Sequence, residues 1–68
     1  MERKRYLELC QKYAVGEDIR VKLKDTEYHP YRYELGFDDK GSSIHTAILK
    51  DIKANSVVYA MLESVKEC

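Results

Sequence analysis

An α+β fold, one N-terminal helix followed by a small, mostly antiparallel four-stranded sheet, is predicted by three features of the chain. ERKRYLELCQKYA repeats its apolar residues every three or four positions. DIRVKLK and YRYELGF alternate apolar residues with charged or small ones, and DDKG lies between the second of these runs and the next apolar stretch as a turn. The 68 residues make a single domain, 1–68. At this size only about 60% of the unfolded surface can be buried, so each large apolar residue matters to the core.

The helix is predicted over about 2–14, with Tyr6, Leu9, Cys10 and Tyr13 on one face and Arg3, Lys4, Glu8 and Lys12 toward water. Glu8 and Lys12 stand four apart in the favourable order, and Gly16 offers a stop. Such a helix is marginal alone, so its stripe must pack on something. The first strand is predicted over 18–24, where Ile19, Val21 and Leu23 point one way and Arg20, Lys22 and Lys24 the other. Asp25, Thr26 and Glu27 interrupt it, and Pro30 holds His29 in an extended or turn conformation.

A second strand follows over 31–37, with Tyr31, Tyr33, Leu35 and Phe37 sharing a face. The DDKG turn, in which Gly41 can adopt positive φ, joins it to a third strand over 43–50. That segment also fits a helix, with Ile44, Ala47, Ile48 and Ile52 on one side; the β-branched residues Ile44, Thr46 and Ile48 and the short turn favour the strand. Two helices on a three-stranded sheet is the alternative. A turn at 53–56 leads to a fourth strand over 56–61 and a helical turn over 62–65 that carries Val65 back over the open end of the sheet. The predicted core is Tyr33, Phe37, Ile48 and Val57, closed by Leu9 from the helix. A strongly bent sheet of this order suits an SH3-like or OB-like barrel, an analogy of topology and size that carries no function.

Twelve Lys and Arg balance twelve Asp and Glu, a formal net charge of zero. That removes the broad electrostatic attraction of a dedicated nucleic-acid binder and weakens repulsion between copies. No apolar run approaches the roughly 20 residues needed to span a bilayer, and MERKRY is followed by LELCQKY, so a cytoplasmic protein without membrane contact is expected. Cys10 and Cys68 are expected to be free thiols, and two cysteines with two distant histidines lack metal-ligand spacing. Asp38 and Asp39 are adjacent in a turn and diverge, while His45 could meet Asp51 or Cys10 only through the fold. No catalytic residue, metal or cofactor is therefore predicted.

Two surfaces remain. Tyr28, His29, Tyr31 and Arg32, placed in a loop around the proline, form a candidate protein-binding site; this loop or a sheet edge would be presented to another protein or to a second copy. Arg20, Lys22 and Lys24, three abreast on a strand, form a candidate nucleic-acid contact, with Tyr28 or Tyr31 available for stacking. Glu17, Asp18, Asp25 and Glu27 flank that row and oppose it.

Overall fold

A computed structural model describes all 68 residues. Helix α1 (Arg3–Ala14) is followed by β1 (Val21–Leu23), β2 (Thr26–Phe37), β3 (Ser43–Asp51), β4 (Val57–Met61), a 3₁₀ turn (Leu62–Ser64) and β5 (Val65–Glu67). All pairings are antiparallel, in the order β4-β3-β2-β1-β5. The prediction of four strands and a barrel is corrected on both points. A fifth strand exists, and the sheet is not closed into a barrel: β5 pairs with β1, leaving β4 at one edge and β5 at the other. Residues 43–51 form a strand, which excludes the two-helix alternative.

The helix ends as its sequence suggests. Gly16 takes φ +101°, its amide donates to Tyr13 O at 3.0 Å, and the Glu17 amide donates to Lys12 O at 3.1 Å. These two bonds satisfy carbonyls that the last turn would leave open. Glu8 bonds to Arg5 at 3.2 Å rather than to Lys12, and Arg5 also reaches Glu67 of β5 at 2.8 Å. Both pairs are exposed and contribute little to stability.

The first strand is shorter than predicted at both ends: residues 18–20 are not part of it, and Lys24 and Asp25 form a tight turn, with Lys24 at φ +57°. β2 starts earlier than predicted, at Thr26, and runs straight through Pro30. It can do so because Pro30 lies past the β1 pairing, which stops at Tyr28, and faces Leu49, whose backbone groups bond to β4, so no ladder bond needs its missing N–H; the register then shifts, with Arg32 facing Ile48 and Tyr31 left as the extra residue of a bulge. Tyr28 and His29 therefore belong to a strand, not to a loop. Gly41 has φ +82°, as the turn requires, and Asp38 Oδ1 accepts from the amides of Lys40 and Ser42.

The core is Tyr6 and Leu9 from the helix, Val21, Ala47 and Leu49 from the sheet, and Leu62 and Val65 from the last turn and strand. Of the predicted centre, Leu9 is buried and Tyr33 is half-buried against the core, while Phe37 is 66% and Val57 43% exposed. Ile48 lies on the other side of the sheet. Directly opposed residues share a face, so the buried Ala47 and Leu49 put His45, Tyr33, Val58 and Ala60 on the helix side and Ile48, Tyr59 and Met61 on the open side. Phe37 points to the helix side but beyond the helix, whose 12 residues reach only about 18 Å. Tyr31 leaves the face of Tyr33 because the bulge turns it outward.

The Tyr6 hydroxyl reaches the bulge from the helix, 3.0 Å from Arg32 O and 3.2 Å from Ile48 O, and shares its proton between these two carbonyls. Burial, with a further push from the Cys10 thiol, raises the Tyr6 phenol above its ordinary range, so it remains a neutral donor. Changing Tyr6→Phe keeps the ring but removes the hydroxyl's bonds to both carbonyls. Urea unfolding should show a loss of about 1 to 3 kcal/mol; an unchanged midpoint would mean that the bond adds nothing.

Candidate functional site

The open face of the sheet has no helix over it. Its rows are set by register: Arg32, Ile48 and Tyr59 lie side by side, then Glu34, Thr46 and Met61, with Lys50 opposite Val57. Tyr59 is 63%, Met61 49% and Val57 43% exposed. The outward-turned Tyr31 joins them, its ring 4.9 Å from Arg32 Cζ and 5.6 Å from Lys50 Nζ. Both cations can interact favourably with the ring face. On this face the exposed apolar side chains are those of β4 and Tyr31, whereas Leu35 and Phe37 of β2 are exposed on the helix side.

The backbone of β4 is also available. The Asp51 amide donates to Ser56 O at 3.0 Å, closing the β3–β4 hairpin. Bonded and non-bonded pairs alternate along an antiparallel ladder, which makes Leu49/Val58 and Ala47/Ala60 the bonded pairs. The N–H and C=O of Val57 and Tyr59, with the N–H of Met61, consequently point away from β3 at the free edge. No charged residue, proline or bulge interrupts Val57–Met61. The opposite edge differs: β5 carries Lys66 and Glu67 among its three residues. Arg5, by hydrogen bond and charge, holds the exposed Glu67 carboxyl below the usual carboxylate range.

The residues singled out from sequence are divided by the fold. Tyr28 turns inward, opposite Val21, and packs on the core. His29 stacks on Tyr13 at 4.8 Å between ring centroids, and its Nδ1 donates to Ile19 O at 2.9 Å. Both support the structure around the helix end, whereas Tyr31 and Arg32 face outward. In the basic row, Arg20 precedes β1 and bonds to Asp18 at 3.3 Å and Glu27 at 3.4 Å. Lys24 lies in the turn, and only Lys22 stands on the strand, between Glu27 on one side and Lys66 on the other. Sequence reasoning missed β4 as the free edge, although its uncharged run VVYAM was visible.

Near the start of the helix, a cavity of about 300 Å³ is bordered by Arg3, Ser43, His45, Met61 and Glu63 among others. The Tyr33 hydroxyl and His45 Nδ1 hydrogen-bond to each other at its margin, with the rings stacked. No group of three or more His, Cys, Asp or Glu side chains is placed to hold a metal. Cys10 and Cys68 are free thiols, and burial pushes the Cys10 thiol up, away from the reactive thiolate. No helix is long and apolar enough to cross a membrane. The chain matches no protein-family model, no curated protein and no solved structure.

Proposed function

We propose that this domain is a non-catalytic protein-interaction module that works by strand addition at β4. An extended segment of the partner aligns along Val57–Met61, takes up the free backbone groups and lays alternate side chains on the open face beside Tyr59, Met61 and Tyr31. The observation that carries the reading is the edge itself. Natural edge strands are usually guarded by charge, proline or a bulge; β5 follows that pattern with Lys66 and Glu67, and β4 does not. Main-chain bonds supply affinity in this mode, and the exposed apolar side chains supply selectivity.

A charge at the centre of the edge should block docking without disturbing the fold, because the Tyr59 side chain is mostly in solvent. Tagged wild-type and Tyr59→Lys chains, used as baits in the cells that make the protein, should differ: a captured protein, the chain's own copy included, should fall by about tenfold or more with the variant at unchanged melting temperature. Identical capture by the two baits would contradict strand addition.

Weak nucleic-acid binding is the second reading, favoured by Lys66 standing directly opposite Lys22 and adding a cation to the basic side of the sheet. Arg20 contributes less, being paired with Asp18 and Glu27. Binding of a labelled single strand should weaken with salt at a slope of about −0.7 per phosphate contact and vanish in a Lys22→Glu, Lys66→Glu chain. No binding at about 50 mM salt would remove this reading.

A further inference from the structure

We infer that the occupant of the β4 edge is a second copy of this chain, paired antiparallel about a twofold axis through Tyr59; the inference rests on the strand-addition reading above. The register follows from which backbone groups are free. With Tyr59 opposite its own counterpart, each Tyr59 N–H donates to the other's C=O, and each Met61 N–H donates to the Val57 C=O of the other copy. A one-residue slip would bring the Val58 and Ala60 groups, already bonded to β3, to the interface. A two-residue slip would leave one end of the free edge unpaired.

The side chains agree with that register. The twofold places Tyr59 beside Tyr59 and Val57 beside Met61 on the open face, covering the most exposed apolar residues of β4 with one another. Cross-strand aromatic and aliphatic pairs of this kind are favourable, and no like charges meet, because Val57–Met61 contains none. Across the whole molecule the net charge is zero, so two copies approach without long-range repulsion. Pairing β4 instead with the opposite edge of another copy would set five residues against three, two of them charged, and would leave the end of β4 open. It would also propagate, since each added copy presents a fresh edge. Two five-residue strands form a small interface, of the class below about 1,200 Å² that gives weak complexes, so association belongs in the micromolar range.

Sedimentation equilibrium of the full chain from about 5 to 500 µM tests this, a range set by the weak-complex class. The mass should rise from 8.0 kDa toward twice that value, about 16 kDa, and stay at 8.0 kDa for Tyr59→Lys. The register is tested by oxidation in a Cys10→Ser, Cys68→Ser background. Tyr59→Cys should form an inter-chain disulfide, its Cα atoms lying about 5.5 Å apart, whereas Val57→Cys should not, its copies being separated by about 13 Å along the strand. Masses above the dimer, a dimer that persists in Tyr59→Lys, or cross-linking at 57 but not at 59 would overturn the twofold pair. A wild-type monomer throughout would also overturn it; β4-dependent capture of a different protein would then preserve strand addition, and loss of that capture as well would overturn both.

Discussion

The arrangement depends on the contact of one hydroxyl with one irregularity in the sheet. β2 takes in an extra residue at Tyr31, and the opposing carbonyls of Arg32 and Ile48 receive their buried donor from Tyr6 of the helix. A ring is large enough to reach from the helix to the sheet, and its oxygen is fixed by the geometry of the bulge. The helix cannot slide along the sheet without leaving polar groups unsatisfied in a dry environment. Around this point the remaining core is small: Leu9, Val21, Ala47, Leu49, Leu62 and Val65 pack about Tyr6. Ala47 is small where Tyr6 is large, which is how a helix carrying a tyrosine lies close to the strands.

Fixing the helix on one side of the sheet determines what stays uncovered on the other. The same bulge that receives Tyr6 turns Tyr31 outward, toward Arg32 and Lys50, so the folding device and the exposed aromatic come from one irregularity. β5 returns to β1, where Val65 completes the core, so β4 remains the outer strand on the other side of the sheet. The two edges then diverge in character. Lys66 and Glu67 make β5 a poor strand partner, while β4 has apolar side chains on its open face and free amides along its outer side. The open edge at β4 thus follows from the strand order and from the face on which the helix packs.

Much of this was legible in the sequence, and the failures have physical causes. The helix stripe of Tyr6 and Leu9, the alternation around Val21, the Gly16 stop and the Gly41 turn depend on local patterns, and all appear as read. The core faces do not, because β3 is apolar on both sides: Ile44 and Ile48 compete with Ala47 and Leu49, and only the position of Tyr6 decides between them. Phe37 illustrates a related limit: it shares the helix side with Tyr33, but where along β2 the helix lies is set by tertiary packing. Pro30 fits within a strand because it has no β1 partner, and the bulge at Tyr31 is a property of two strands in register; neither leaves much trace in one sequence. β5 was invisible at three residues with one apolar side chain. Of the four residues singled out around the proline, Tyr31 and Arg32 face outward, whereas Tyr28 and His29 are internal supports. Strand order, and with it the identity of the free edge, is a tertiary property.

Residue-resolved amide hydrogen exchange along β4 tests the central claim most directly, using the Tyr59→Lys chain so that the edge is unpaired. Exchange should alternate: slow at Val58 and Ala60, whose amides bond to β3, and fast at Val57, Met61 and position 59, whose amides face solvent at the edge. Uniform protection from Val57 to Met61, or slow exchange at position 59 with fast exchange at Val58 and Ala60, would show that β4 is covered or registered differently and would contradict the account.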